Sequence, residues 1–386
     1  MGTTEAGVPA ITLTEAELDR YVTHAPTRGL PTGPGLPAGT GPLTFLPLRT
    51  HGLRTLADAT DGPFRLADEL RDRLVIGELL HPAGMERESV LLDGGTGEIT
   101  TAHLLAPSAP RPFAPSLNTL LRFAAVTEEL AGLRGRFASL AGRYGPRTVT
   151  EASRRLLTLF EQGADGRVPP YWKATALIRP LSLIAGPGTA SGLTLDVPSR
   201  LLDQEFGQGR VTRFEEVDIP ATLTHEPTRR FLRETGLPEE AVLFRADTDA
   251  PLHTLTEYFA EERAEDYPLD ELPAHSGHLI RLGHLVEDNG LVVDGRTGAV
   301  LTFSEPEATL YPLNTDVSTL AYTLWLLHHE RTTDEHLSHE LTTDAYDQLA
   351  AAMLHTLAAV DPTGTRPRTD WHYWTELFRD EAGGVL

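Results

Sequence analysis

The residues best suited to chemistry in this sequence form a run of histidines and glutamates between positions 328 and 340. Its members are His328, His329, His336, His339, Glu330, Glu335 and Glu340. Such side chains could hold a metal ion for a hydrolase, but ligand atoms must then converge at about 2 Å, and no His-Glu-x-x-His or other standard zinc spacing occurs. The run therefore predicts a solvated helix end. A metal-dependent hydrolase is the weakest alternative, and no metal or cofactor is predicted.

Other catalytic arrangements also find no support in the sequence. The chain has no cysteine, which excludes cysteine nucleophiles, thiolate zinc sites and the Pro-Cys-x-x-Cys site of zinc deaminases. The glycine-rich stretch 186–192 lacks the Lys-Ser/Thr of a phosphate-binding loop, and Ser191 lies one place late for a Gly-x-Ser-x-Gly nucleophile turn. Asp93 and Asp294 each precede a glycine, which predicts turn caps rather than a carboxylate pair. The sequence thus predicts a binding protein and not an enzyme.

One segment in the second half combines carboxylates with aromatic rings. Residues 257–271 include seven acidic residues, one arginine and three aromatic residues. A solvated acidic face is the simpler interpretation, and the alternative is a partner surface where aromatic rings anchor while carboxylates meet a basic cleft. The candidate partner-binding residues are Glu257, Tyr258, Phe259, Glu261, Glu262, Glu265, Asp266, Tyr267, Asp270 and Glu271.

Charge and composition limit the partners of this chain. Its 386 residues include 33 Lys and Arg against 55 Asp and Glu, a net charge of −22, and Lys173 is the only lysine. Such a surface repels phosphate backbones and anionic lipids, so neither nucleic acid nor a membrane is predicted as a direct partner. The longest apolar runs are far shorter than the roughly 18–20 residues that span a bilayer. With no signal-peptide pattern and no cysteine, a cytoplasmic protein of unknown oligomeric state is predicted.

The elements that must position these residues repeat at a spacing of about 200. Residues 23–28 read Thr-His-Ala-Pro-Thr-Arg, and residues 224–229 read Thr-His-Glu-Pro-Thr-Arg, which is a spacing of 201. Residues 90–99 and 291–300 match best, and each contains an Asp-Gly-x-Thr-Gly turn typical of a β-hairpin. A repeat of this length is a domain rather than a solenoid turn.

Hydrophobic periodicity predicts helices after each hairpin, at residues 116–130 and 316–330, with a further helix at 346–360. The hairpin turns leave no room for crossover helices. We therefore predict an α+β fold of two tandem domains, each a mainly antiparallel sheet flanked by helices.

The predicted first domain covers residues 11–184, and the second covers residues 193–386. Small residues at 185–192 predict a flexible linker between them. The second copy has about 19 extra residues near 206–223. The first copy is predicted to be degenerate, because a Gly- and Pro-rich stretch at 29–42 replaces a helix of the second copy.

Four stretches of the second copy together carry a family resemblance. They are residues 227–232 (Pro-Thr-Arg-Arg-Phe-Leu), 236–238 (Gly-Leu-Pro), 292–298 (Val-Val-Asp-Gly-Arg-Thr-Gly) and 312–322 (Pro-Leu-Asn-Thr-Asp-Val-Ser-Thr-Leu-Ala-Tyr). In this order they resemble the SUKH superfamily, most closely its SUKH-4 branch of bacterial immunity proteins. The first copy, residues 11–182, resembles it more weakly.

This resemblance implies an α+β fold without catalytic residues. It also implies a cognate polymorphic toxin as partner, which the chain would bind and neutralise; nuclease and deaminase toxins are the expected kinds. An intracellular scaffold of the superfamily's cell-wall-regulator type is the alternative.

Overall fold

The computed structural model describes residues 10–60, 66, 68–80, 88–103, 110–164, 167–248, 251–263, 267–286, 289–342, 346–365, 372–379 and 386. The chain forms two compact units. Unit 1 consists of residues 1–141 and 150–177, and unit 2 consists of residues 142–149 and 178–386. Each unit contains an antiparallel sheet with helices beside it, which confirms the predicted α+β fold. None of the described helices has the length and hydrophobicity needed to cross a bilayer.

Unit 1 has short helices before and between the first strands of its sheet and long helices after the last strand. Its helices are α1 (Glu15–Asp19), α2 (Ala25–Thr32), α3 (Leu46–His51), α4 (Leu56–Ala59), α5 (Asp68–Arg71), α6 (Leu117–Ala131) and most of α7 (Pro146–Gly163) and α8 (Pro170–Ile178). Its strands are β1 (Gly39–Thr40), β2 (Leu43–Thr44), β3 (Arg54–Thr55), β4 (Leu74–Leu79), β5 (Glu88–Leu92), β6 (Ile99–His103) and β7 (Arg111–Ala114). The described strands are ordered β1-β2-β4-β5-β6-β7, and β3 pairs with β4.

Unit 2 repeats this plan. Its helices are α9 (Ser199–Phe206), α10 (Glu226–Glu234), α11 (Leu255–Glu262), α12 (Val317–His336), α13 (Tyr346–Val360) and α14 (Tyr373–Arg379). Its strands are β8 (Gly186–Pro187), β9 (Leu195–Asp196), β10 (Val211–Thr212), β11 (Leu237–Pro238), β12 (Glu240–Ala241), β13 (Phe244–Ala246), β14 (Leu279–Leu285), β15 (Asn289–Asp294), β16 (Val300–Ser304) and β17 (Thr309–Asn314). The main described sheet runs β12 to β17 in sequence order. Helices α6, α12 and α13 confirm the helices predicted after the hairpins.

The Asp-Gly-x-Thr-Gly turns join β5 to β6 and β15 to β16. Asp93 Oδ1 accepts hydrogen bonds from two backbone N–H groups of its turn, at 2.7 and 2.9 Å. Asp294 Oδ1 accepts two in its own turn, at 2.8 and 3.1 Å. The predicted turn-capping role of both aspartates is therefore confirmed.

The repeated Thr-His-x-Pro-Thr-Arg motif packs onto this turn in each unit. In unit 1 the His24 N–H donates to Gly94 O at 3.0 Å, and His24 Nδ1 lies 2.8 Å from Thr27 Oγ1. A Cβ added at Gly97 would meet that Nδ1 at 2.4 Å, so a glycine is required there. His225 makes the matching contacts in unit 2, at 2.9 and 2.8 Å. The two motifs recur together because they contact each other.

A short helix covers one face of each sheet. Thr55 caps α4 and Thr254 caps α11, each accepting a hydrogen bond from the backbone N–H three residues on. The clusters that these helices complete are Leu56, Leu70, Val75, Leu91 and Ala102 in unit 1, and Leu255, Phe259, Leu279, Val292 and Phe303 in unit 2. The acidic segment of the sequence thus begins in a helix that must bury one side.

The first copy keeps the helix that the sequence predicts it has lost. Helix α2 runs through residue 32 although Pro31 lies in its last turn. The carbonyls near its end are satisfied: Leu13 N–H donates to Pro31 O at 2.9 Å, and Thr32 Oγ1 donates to Arg28 O at 2.8 Å. One bond from outside the helix and one local side-chain bond therefore offset the low helix propensity of Gly and Pro, and the prediction of a degenerate first copy is wrong at this helix.

Segment 185–192 forms hydrogen-bonded structure in the fold, and its predicted flexibility stays a prediction. Strand β8 pairs with β9 as a small hairpin, and the Asp196 carboxylate accepts hydrogen bonds from the N–H groups of Ala190 and Ser191, at 3.1 and 2.7 Å. These bonds close the loop, which composition alone does not reveal. The domain bounds at residues 184 and 193 stay a prediction.

Strand pairing also relocates the extra residues of the second copy. In unit 1, Ile11 pairs with Leu36, and 201 residues later Thr212 pairs with Leu237. The residues that distinguish the second copy therefore precede Val211 and include α9, rather than lying near 206–223. Helix α9 has no counterpart among the described residues of unit 1.

Candidate partner-binding surface

The acidic segment of unit 2 begins as α11 and continues to a 3₁₀ turn, Leu269–Glu271. Its Phe259 is 0% exposed and packs with Leu255 and Phe303. Residues 255 and 259 are one helical turn apart, so both face the sheet. The prediction of Phe259 as an accessible partner anchor is therefore wrong, because the helix needs this ring for its own core.

The two tyrosines of the segment are also tied to the fold. The guanidinium of Arg281 lies 3.8 Å from the centre of the Tyr258 ring, a cation–π contact, and Arg281 Nε donates to Asp247 at 2.6 Å. The Tyr267 ring lies 4.6 Å from that of Phe259. Burial raises the pKa of Tyr267, and the charges of nearby glutamates raise it further. These half-buried rings anchor the segment to the sheet.

The carboxylates are what the segment presents to solvent. Glu261, Glu262, Asp270 and Glu271 are exposed. Glu257 is exposed as well but caps the helix, since its carboxylate accepts hydrogen bonds from the N–H and hydroxyl of Thr254, and these bonds lower its pKa. Glu265 and Asp266 lie outside the described residues. The accessible feature is therefore a group of acidic side chains on a rigid base.

A glutamate that the sequence analysis did not select organises the histidine-rich helix. Glu205 of α9 accepts a hydrogen bond from Trp325 Nε1 at 3.1 Å, and His329 Nδ1 and His328 Nδ1 lie 3.0 and 3.4 Å from its oxygens. The His328 ring lies 4.5 Å from the Phe206 ring, and His329 stacks on Trp325 at 4.9 Å. Burial alone would raise the pKa of Glu205, but the hydrogen bonds and charges of the two histidines lower it below its usual value.

The other two histidines lie elsewhere. His336 Nδ1 is 2.5 Å from the carbonyl oxygen of Thr332, and His339 Nδ1 is 3.4 Å from Asp334. Among the described residues, none of the four histidines belongs to a group of three ligand atoms within 4.8 Å of one another. The fold therefore uses the histidines at separate places.

Glu330 contradicts the prediction of a fully solvated helix end. It is 0% exposed, and neither carboxylate oxygen has a hydrogen-bond partner among the described residues. Counted from the helix N-caps, it occupies the position that Leu130 holds in unit 1, where the leucine is buried. Burial raises the pKa of Glu330 to about 8, with a further contribution from the charge of Asp334. Its side chain is therefore mainly protonated at pH 7.

A cleft of about 470 Å³ opens beside the Glu205 contacts in unit 2. Three parts of the chain surround it: the end of α9, the turn between β12 and β13, and the last turns of α12. Its lining residues are Phe206, Arg210, Glu240, Ala241, Val242, His328, Arg331, Thr332 and Glu335. The lining thus combines polar and charged groups with three apolar side chains, Phe206, Ala241 and Val242.

Comparison with protein-family models finds the same family twice along the chain, as SUKH-4 immunity protein, at residues 4–160 and 197–380. These ranges cover most of the 386 residues. The chain belongs to the SUKH-4 immunity protein family. The resemblance and the tandem arrangement predicted from the sequence are confirmed. No curated protein and no solved structure matches the chain.

The second SUKH-4 copy contains the acidic segment, Glu205 and the cleft, since all lie within its match. Sequence reasoning missed Glu205 because its partners lie 120 or more residues away. It missed Glu330 because a glutamate in a histidine-rich stretch is typical of a solvated surface. Aligning the two SUKH-4 copies from their helix N-caps would have revealed it, as the buried Leu130 shows.

Proposed function

We propose that this chain is a non-catalytic immunity protein that binds and neutralises a cognate bacterial toxin. The observation that carries the proposal is the SUKH-4 immunity match over both copies. Packing supports it as well, because the histidines that most resembled catalytic groups are used to hold α9 on α12.

The net charge of −22 favours a toxin with a basic surface, such as the substrate groove of a nuclease or of a nucleic-acid deaminase. Attraction between such surfaces speeds association and makes it sensitive to salt. The protein would act in the cytoplasm of the cell that makes the toxin. The same negative charge disfavours direct binding of nucleic acid to this chain.

The exposed carboxylates at Glu261, Glu262, Asp270 and Glu271 are the proposed contact for that basic surface. They stand on a helix and turn held by the buried Phe259 and the half-buried tyrosines, so the backbone beneath them loses little conformational freedom on binding. In this revised form the aromatic residues support the surface, and the carboxylates form the contact.

Co-expression tests the proposed function. The toxin domains encoded near this gene are each induced in a sensitive host, alone and together with the full chain. We expect one toxin whose growth arrest the chain relieves and whose purified domain binds it. The control is an unrelated acidic protein of similar net charge, which tests whether negative charge alone protects the cells. If cells die equally fast with and without the chain for every toxin, the proposal is wrong.

A further inference from the structure

The cleft of unit 2 occupies a place that is closed in unit 1. In unit 1 the turn between β1 and β2 contacts α6 directly, because Gly41 N–H donates to Glu128 Oε1 at 2.9 Å. In unit 2 the matching turn residue is Val242 and the matching helix residue is His328, counted from the strands and the helix N-cap. Both line the cleft instead of forming this bond.

Two differences between the copies open this space. The imidazole of His328 faces α9, with its Nδ1 near Glu205 and its ring against Phe206. The turns also differ: Gly41 has φ +55° at the first turn position, whereas Leu243 has φ +62° at the second. A bulky residue rarely adopts that conformation, and such strain persists only where the surrounding structure enforces it.

The extra walls come from segments that only the second copy has in the described chain. Helix α9 and the residues up to Arg210 have no counterpart among the described residues of unit 1, and α12 has 20 residues where α6 has 15. These additions supply Phe206, Arg210, Thr332 and Glu335 to the lining. Segments without a described counterpart in the first copy thus form part of the cleft wall.

Two guanidinium groups give the cleft its chemistry. Arg210 is exposed and has no ion-pair partner among the described residues, and Arg331 lies 3.8 Å from its neighbour Glu335. Many other arginines of this acidic chain have closer carboxylates, as at Arg213 with Asp203. A guanidinium recognises a carboxylate through two parallel hydrogen bonds, and arginine is enriched among residues that dominate binding energy.

We propose, as a deepening of the proposed function, that this cleft receives a carboxylate side chain of the toxin between Arg210 and Arg331. The carbon stem of that Asp or Glu would lie against Phe206 and Val242. The acidic surface on α11 speeds the encounter, and the cleft fixes the orientation of the bound partner. The two sites therefore recognise opposite charges on one toxin surface.

Single substitutions in the full chain distinguish the effect of the cleft arginines on toxin binding from the effect of the chain's net charge. The purified toxin domain identified by co-expression is the probe, and its dissociation constant is measured for Arg210→Ala and Arg331→Ala. The matched control is Arg296→Ala, which removes the same charge from an exposed turn of unit 2. Glu240→Ala removes a negative charge from the cleft itself. A thermal melt confirms that each variant is folded.

We expect both cleft arginine variants to bind roughly tenfold to thirtyfold more weakly, as hot-spot truncations do. The control should stay within about twofold, and Glu240→Ala should bind as well as the wild type or better, since a repulsive carboxylate is gone. Weaker binding by Glu240→Ala with unchanged binding by the arginine variants would overturn the inference in favour of a basic occupant.

If all four variants bind the toxin domain as tightly as the wild type, and the wild type protects cells, then the cleft is not a binding site for the toxin. The proposed function would still hold. If the wild-type chain protects against no toxin, the proposed function fails first and the cleft assignment fails with it. The two failures are therefore distinguishable.

Discussion

Replacing the buried Glu330 should stabilise unit 2, and the gain should grow with pH. The carboxyl is 0% exposed, without a hydrogen-bond partner among the described residues, and its pKa is raised from the usual 4.5 to about 8. In the folded state it therefore keeps its proton over a range in which the unfolded chain releases it.

The size of the effect follows from the two pKa values. Between pH 4.5 and 8 the folded state binds more protons than the unfolded state, so stability falls as pH rises and levels off above pH 8. Each unit of pKa difference corresponds to about 1.4 kcal/mol, and a shift from 4.5 to about 8 therefore amounts to roughly 5 kcal/mol at high pH. Below pH 4.5 the cost disappears, because both states are protonated.

Glu330→Gln removes the titration with little change of shape, and Glu330→Leu copies the residue of the first copy, Leu130. The difference in free energy of unfolding between Glu330→Gln and wild type should rise by about 4 kcal/mol from pH 5 to pH 8. For Glu330→Leu, the difference in free energy of unfolding from the wild type should rise with pH by the same amount. This variant should also be more stable than Glu330→Gln at every pH, because a buried polar group without partners is costly. Urea unfolding followed by tryptophan fluorescence reports mainly on unit 2, because among the described residues unit 2 holds Trp325 and Trp374, whereas unit 1 holds Trp172.

Glu335→Gln is the matched control, since this glutamate is exposed on the same helix. It should change the pH dependence by less than about 0.5 kcal/mol. If Glu330→Gln shows an equally flat difference from pH 5 to pH 8, the Glu330 carboxyl ionises normally in the folded protein and the reasoning is refuted.

Four further outcomes are expected. Glu261→Arg combined with Glu262→Arg should slow association with the toxin and weaken its salt dependence, as measured by stopped flow; an unchanged on-rate would move the contact elsewhere. Phe259→Ala should lower the free energy of unfolding by about 3–5 kcal/mol in a denaturant titration, because it leaves a cavity in the core, and near-wild-type stability would contradict its burial. Glu205→Gln should lower the free energy of unfolding by about 2 kcal/mol at pH 6. This loss should shrink as the pH falls through the lowered pKa of Glu205, because the wild-type carboxylate is then protonated and loses its charge as well. Equal melting temperatures of the variant and the wild type at pH 6 would count against the contact with the histidines. Limited proteolysis should yield two stable fragments of nearly equal mass if the predicted bounds around 185–192 separate two domains, whereas a resistant full-length chain would contradict them.

The sequence alone determined the features that depend on near neighbours and on repetition. The Asp-Gly-x-Thr-Gly turns, the helices that follow them and the α+β class could be predicted because turn chemistry and helical periodicity act over a few residues. The tandem order and the family could be recognised because two copies of one pattern stand in one chain. These predictions concern the secondary structure of each segment, not which of its side chains are buried.

Tertiary structure decided which side chains are accessible. Phe259 was predicted as an anchor and Glu330 as a solvated group, yet both are buried, because the packing of a helix on a sheet depends on strands far away in the chain. Glu205 meets Trp325 and the histidines across 120 or more residues, a pairing that no local pattern encodes. The cleft likewise exists only because α9, a hairpin turn and α12 come together in the folded second copy, where a similar turn in the first copy lies directly on its helix.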